Sequence, residues 1–353
     1  MSVSFAPSGL GLFPPGTHGS ARRLHSGAAS RLRPACLAVA LFFISVPLPF
    51  AQNLQLLRSI TVPPNGPAEF VALSPKGDFI AAGCKDGQVR VWTFPRGELR
   101  QAFDLKDQRI TGVWFSSDGT LLAAGGNRGA VKMWSLPSGK LKTELNVGAA
   151  VASLAISPDR TLLAVAPAGV AAQLWDLDVG RMLTTLPPKF AGSKGVAFSP
   201  DGKWLASADE DTVIRIYEAP TGALRASSDD FLLETFAIAF SADSKYLYAG
   251  GADKTISAID VASGKVAQTL PKQAFVIGAL QLSRDGKYLA ALYFDEKSFN
   301  NPAPVMVWDL GSQSVRSTIQ PGFTPNGGGF LPDGRLLLTS SAEGKLQVWA
   351  SGK

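Results

Sequence analysis

A chain of 353 residues, 46% hydrophobic and 18% charged, has the apolar content for a large buried core and is not disordered by composition. Its formal charge of +6 is unevenly placed: residues 1–51 hold four arginines and no acid, leaving 30 basic against 28 acidic residues beyond them. A remainder so close to neutral lacks the clustered positive charge that nucleic-acid binding needs, which argues against that function.

Residues 1–51 carry Arg22, Arg23, Arg31 and Arg33 ahead of the apolar run Ala35 to Val46, the layout of a signal peptide. The run is about a dozen residues long, short of the roughly 20 that a spanning helix needs, and Pro47 and Pro49 interrupt it. A cleaved leader ending near Ala51 is the first expectation and an uncleaved N-terminal anchor segment the second. Membrane contact is expected only through such an anchor. Cys36 precedes the apolar run, which disfavours a lipid-modified cysteine. The expected location is periplasmic or secreted.

Both histidines, His18 and His25, fall in this leader, and Cys84 is the single cysteine after it. Residues 52–353 therefore have no intramolecular disulfide, no Ser-His-Asp triad and no Cys/His zinc site. Cofactor and metal are both expected to be absent. Cys84 reads as a small buried residue, with a reactive thiol as the sharper alternative.

From residue 54 onward the chain repeats itself. "LSPKG", "FSSDG", "ISPDR", "FSPDG", "FSADS", "LSRDG" and "FLPDG" recur, and a second marker follows each, at Trp92, Trp134, Trp175, Tyr217, Ile259, Trp308 and Trp349. Both series step by 41 or 42 residues, apart from one longer step at the sixth copy. Seven copies with this period and these marks are the signature of propeller blades of four strands each.

The turn chemistry supports that independently. Ser-Pro-Asp-Gly suits a type I turn joining the first strand to the second. After it "KWLASA" alternates, "DEDT" turns, "VIRIY" makes a third strand and "APTG" turns again ahead of the fourth. Gly97, Gly139, Gly180, Gly222 and Gly264 each lie five residues past the aromatic marker, where a tight turn favours positive φ; Gln313 breaks that column. Phe79, Leu121, Leu162, Trp204, Tyr246, Tyr288 and Leu336 follow the first turn and are expected in the core.

With these repeats, and the literal pairs Trp175-Asp176 and Trp308-Asp309, the chain resembles the WD40 family over about residues 54–353. The resemblance implies an all-β fold: a seven-bladed β-propeller of four-stranded antiparallel blades, spanning residues 52–353 as one domain. It also implies a platform for protein partners rather than a particular chemistry. In WD40 proteins a Gly-His pair, an Asp, a Ser or Thr and the Trp form a buried hydrogen-bonded set. This chain has no histidine for it. The Asp position survives as Asp86, Asp211 and Asp253, with Glu343 as a substitute, and these acids read as turn residues. Apolar packing is expected to carry more of the load.

After Trp349 only "ASGK" remains, so the seventh copy lacks an outer strand. "LQLLRSITV", Leu54 to Val62, reads like the fourth strands of other copies and is expected to close the ring, burying about three Leu and Ile side chains.

The face that carries the outer-to-inner and second-to-third connections varies most. Ser283 to Trp308 spans 25 residues against 18 for Ser74 to Trp92, the excess lying in "YFDEKSFNNPAPV". Phe190, Phe231, Phe275 and Phe323 fall in consecutive inter-blade connections, with Phe294 and Phe299 in or beside the insertion. They form either an apolar patch for a protein partner or a lid folded over the blade ends. Trp114 stands where other copies have Ala72, Ala155, Ala197, Ala239, Gln281 and Gly329, and either fills a void or presents its ring to something in the axial channel.

No catalytic residue is assigned. The expected function is an exported, non-catalytic propeller that binds a protein or organises an assembly at the cell envelope. The alternative is a propeller enzyme, a glycan hydrolase or lyase using carboxylates on the variable face: Asp229, Asp230, Glu234, Asp295 and Glu296.

Overall fold

The computed structural model describes residues 54–61, 68–84, 86–94, 96–106, 109–187, 192–294, 303–322, 325, 327–331, 333–340 and 345–351. Within them the chain forms seven four-stranded antiparallel sheets and no helix. Blades one to six each use four consecutive strands. The seventh is assembled from both ends of the repeat region, in the order Leu54–Thr61, Lys345–Ser351, Leu336–Ser340, Gly327–Phe330. Leu54 lies opposite Ser351 and Thr61 opposite Lys345, so the first strand closes the ring as the sequence predicts. The burial expected along that strand is reduced at its start. Leu54 is half-buried against the blade that ends in Trp349, while Leu56, on the outer rim, is 45% exposed.

The first strand of each blade is innermost and packs beside the first strands of its neighbours; Ser193–Phe198 of blade four adjoins Val151–Ile156 and Thr235–Phe240. Second strands have blades stacked on both faces, which is why they are rich in alanine. Ala81, Ala123, Ala164, Ala206 and Ala290 are all fully buried. The aromatic marker is core as expected in Trp92, Trp134, Tyr217, Ile259 and Trp308. The column after the first turn is core in part: Leu121 and Leu336 are buried, Phe79, Leu162, Trp204 and Tyr288 are half-buried against it, and Tyr246 is 37% exposed, because this residue opens the second strand at its end.

Each first turn is a small hydrogen-bonded device. In blade four the Gly202 amide donates to the Ser199 carbonyl (2.9 Å), the Trp204 amide donates to Ser199 Oγ (2.9 Å), and Ser199 Oγ donates to Asp201 Oδ1 (2.6 Å). Ser116 with Asp118, Ser157 with Asp159, Ser241 with Asp243 and Ser283 with Asp285 repeat the last bond. The serine is buried and would otherwise leave its hydroxyl unsatisfied; the aspartate two residues on supplies the acceptor. The glycine column before the outer strand takes φ of 67 to 78°, and Gln313 adopts φ 57° in the same place, keeping the geometry without the residue that favours it.

Outer strands share a further feature. Pairing with the third strand slips by one residue directly beside the aromatic marker in all seven blades, as between Val91 and Trp92 or Ile216 and Tyr217, so each outer strand carries a bulge. Inner strands of blades one to six slip similarly near their start, at Thr111, Ala152, Lys194 and Phe236, each second in its strand, in blades two to five, and at Gly278, third in its strand, in blade six.

A candidate partner-binding face

The bulged inner-strand residues stand at the end of each strand where the outer-to-inner connection arrives. In blades four to six they meet one another. Lys194 Nζ lies 5.1 Å from the centre of the Phe236 ring and pairs with Glu234 Oε1 at 2.7 Å. Phe236 in turn lies 6.0 Å from Phe294, ring centre to ring centre, at an interplanar angle of 56°. Phe294 fits because position 278 is glycine: a Cβ there would stand 2.9 Å from the Phe294 ring. The connection into blade five adds Leu232, 90% exposed, and Leu233, 50% exposed. The result is a charged pair set among aromatic and aliphatic surface, drawn from three neighbouring blades.

Beneath it, blade four replaces the expected apolar packing with a buried polar cluster. Asp209, 3% exposed, accepts hydrogen bonds from Ser193 Oγ (2.5 Å), Ser207 Oγ (3.0 Å) and Arg215 Nη1 (2.6 Å). Arg215 also holds Asp211 at 2.6 Å. Tyr217 shares a hydrogen bond with Ser207 (3.3 Å) and donates to the Pro187 carbonyl (2.8 Å). Burial pushes the Asp209 carboxyl up, with Ser193, Arg215 and Ser207 opposing it, and burial beside Asp209 pushes the Tyr217 phenol up as well. The chain thus builds a hydrogen-bonded set without histidine, through an acid two positions before the one the repeat pattern marks. Elsewhere the marked acids are turn residues: Asp86 accepts from the Gln88 amide and Asp253 from the Thr255 amide. The Cys84 thiol, buried, is likewise pushed up by that burial, as suits an inert packing residue.

The residues singled out in the sequence separate into three groups. Phe294 joins the face, and Phe275 is half-buried against the core between blades five and six. Phe231 and Trp114 each take the inward one of the two readings the sequence leaves open, a lid over the core and a filled void, and neither is on a surface. Phe231 is 5% exposed and packs with Ile214, Ile238 and Phe240, folded down from its connection into the gap between blades four and five. Trp114 is 1% exposed and lies over Gly112, whose Cβ would stand within 3 Å of the indole, so it fills space between blades two and three. Phe190, Phe299 and Phe323 lie outside the described residues. Sequence reasoning missed Leu232, Leu233, Phe236 and Lys194. The run "DDFLLETF" holds the first three, two consecutive leucines and a phenylalanine in and beside a polar connection, whereas nothing in the sequence marks Lys194.

The carboxylates considered for catalysis do not converge. Glu234 is held by Lys194, and Asp230 accepts a hydrogen bond from Ser228 (3.3 Å); Asp229 and Asp230 are exposed. Asp295 and Glu296 lie outside the described residues. Among the described residues no group of three His, Cys, Asp or Glu side chains gathers as a metal site would require.

Comparison with known proteins now decides the family. Residues 71–152 match the WD40 domain of anaphase-promoting complex subunit 4, and residues 181–218 and 234–260 match the WD domain, G-beta repeat. The chain belongs to the WD40-repeat family. This WD40 propeller resembles a chain in the crystal structure of a mitotic checkpoint complex, at 20% identity and a TM-score of 0.74, over 91% of this chain and 100% of that one. It also resembles the β-propeller domain of Cps50 (Swd1) from Myceliophteria thermophila, at 17% identity and a TM-score of 0.73, over 85% of this chain and all of the other. At such identities the likeness is one of fold. No curated protein matches the chain.

Proposed function

We propose that this WD40 propeller is an exported, non-catalytic scaffold that binds a protein partner through the connection face of blades four to six, at the cell envelope. The single observation that carries the reading is the exposure of Leu232 and Leu233 beside Phe236, Phe294 and the Lys194–Glu234 pair. Exposed apolar side chains gathered in one connection commonly mark an interaction site. The fold supports it, because propeller strands hold loops rigidly and binding concentrates on such loops. Export rests on the basic and apolar layout of residues 1–51.

The test is crosslinking in the native host. Wild-type protein is expected to yield a discrete crosslinked partner, recovered outside the cytoplasm with a new N-terminus near residue 52. The double variant Leu232→Ser, Leu233→Ser should lose the partner while melting at the wild-type temperature. Retention of the partner by that variant overturns the assigned face, and a cytoplasmic, uncleaved product overturns export.

A further inference from the structure

The opposite face carries a different feature, at the ring's axis. A cavity of about 440 Å³ is bounded by Ala72, Phe115, Gln281, Gly329 and Phe330, and a smaller one of about 110 Å³ by Ala197, Phe198, Ala239, Phe240 and again Gln281. Together their walls draw on all seven blades, which only the axial channel can do. The larger lobe exists because the inner strand of blade seven, Gly327–Phe330, has three successive glycines and leaves Phe330 as its one side chain beyond the backbone.

Gln281 is the singular residue of this cavity. Its column otherwise holds small apolar residues, apart from Trp114, which turns between blades. Gln281 is 8% exposed, lines both lobes, and makes no hydrogen bond to a described residue. Its amide opens onto the cavity, where donor and acceptor are available to water or to a bound molecule.

The mouth is also out of pattern. The second position of the first turns encircles it: Pro75, Ser117, Pro158, Pro200, Ala242 and Arg284. Arg284 replaces the turn's proline and is the one charged member among these six, while in blade one Lys76 replaces the turn's aspartate. Lys76 and Arg284 are exposed and neither is ion-paired with a described residue, whereas Asp118, the acid at the mouth, is held by Arg160 at 3.0 Å. Two departures from the repeat therefore place two cations, unpaired among the described residues, at the entrance to a cavity with aromatic walls and an amide that opens onto it.

We infer that this axial cavity binds a small amphipathic monocarboxylate. Its apolar body would lie against Phe115, Leu282 and Phe330, a hydrogen-bonding group would meet the Gln281 amide, and the carboxylate would face Lys76 and Arg284. The volume is that of an ordinary small-molecule site, and a charge-assisted pair at the mouth would fix orientation.

Calorimetric titration of the full chain tests this with three probes, N-acetyl-L-phenylalanine, 3-phenylpropanoate and octanoate, and with N-acetyl-L-phenylalanine amide as the uncharged control. At least one carboxylate should bind and the amide should not. The double variant Lys76→Ala, Arg284→Ala should weaken that probe by about tenfold or more. Gln281→Leu should weaken N-acetyl-L-phenylalanine more than octanoate, which has no group for the amide. Gly329→Leu should abolish binding, since a Cβ there meets nothing nearer than 3.7 Å and its side chain would occupy the larger lobe. Unchanged melting temperatures show that the variants remain folded. Failure of all three probes, equal binding of the amide, or unaltered affinity in the Gln281 and double-charge variants would each overturn the inference.

Discussion

Blades two and four have the same strands, the same first turn and the same outer bulge, yet they are held together differently. Blade two meets blade three through apolar volume, with Trp114, Met133 and Leu154 all buried and the indole seated over Gly112. Blade four has Asp209 at its heart, with two serines and Arg215 bonded to it. The lesson is that a propeller blade specifies its backbone by turns and alternation and leaves its interior free to be solved by packing or by polar pairing. The two solutions fail in different ways.

The largest effect is loss of the ring that both blades depend on. Deleting residues 54–62 leaves blade seven with three strands and an open edge, and an aggregating product with no cooperative melting transition is expected by calorimetry. A soluble, cooperatively melting truncation would show that closure is dispensable. Next, Trp114→Ala should destabilise by about 3–5 kcal/mol through the cavity it leaves, measured by denaturant unfolding. Asp209→Ala should cost somewhat less, about 2–4 kcal/mol, because two buried serines lose their acceptor while Arg215 keeps Asp211. The comparison is sharpest in the rescue. Adding Ser193→Ala and Ser207→Ala to Asp209→Ala should recover part of the loss, since it removes the two buried hydroxyls left without an acceptor while Arg215 keeps Asp211, whereas no partner change rescues Trp114→Ala.

A smaller effect separates blade four by pH. Hydrogen bonds from Ser241 and Ser283 hold Asp243 and Asp285 below the usual carboxylate range, so the stability they contribute is present above that range and is lost as pH falls through their folded values. Asp209 has the opposite sign: its carboxyl is raised by burial, so its contribution declines as pH rises through its folded value. Asp209→Asn should therefore steepen the acid-side loss of stability in urea titrations between about pH 5 and pH 2. A slope unchanged from wild type would remove Asp209 from the account.

Most of the architecture is legible in the sequence because its cues are local. A serine, a fixed φ, an aspartate and a glycine within five residues make the first turn, and the step between copies counts the blades. Closure is legible too, from a strand missing at one end and spare at the other. What is not legible depends on contacts between copies. Asp209 sits outside the column that the repeat marks, and its partners Ser193 and Arg215 come from different strands. For Phe231 the sequence leaves patch and lid both open because it lies in a connection, and only the gap between blades four and five decides that it turns in. The candidate face escapes for a related reason: leucines at 232 and 233 read as core in the sequence, and only the structure shows both exposed. The axial cavity is hidden in "NGGGF", where small residues read as crowding, although they leave room when a whole strand consists of them.

The slipped pairing beside every aromatic marker bears on how copies of this molecule behave in a crowd. An outermost ribbon offers unpaired amides and carbonyls to any passing chain, and a kink in each one spoils the template. In four blades the extra residue at the kink is basic, Arg100, Lys142, Arg225 and Arg316, so approaching ribbons of the same kind repel. Blades three and seven have Leu183 and Leu57 at that place instead, with Met182 and Val179 exposed beside the first and Leu56 exposed beside the second. When this protein is concentrated, unwanted self-association should begin at those two rims, and Leu57→Lys and Leu183→Lys are the substitutions that would guard them.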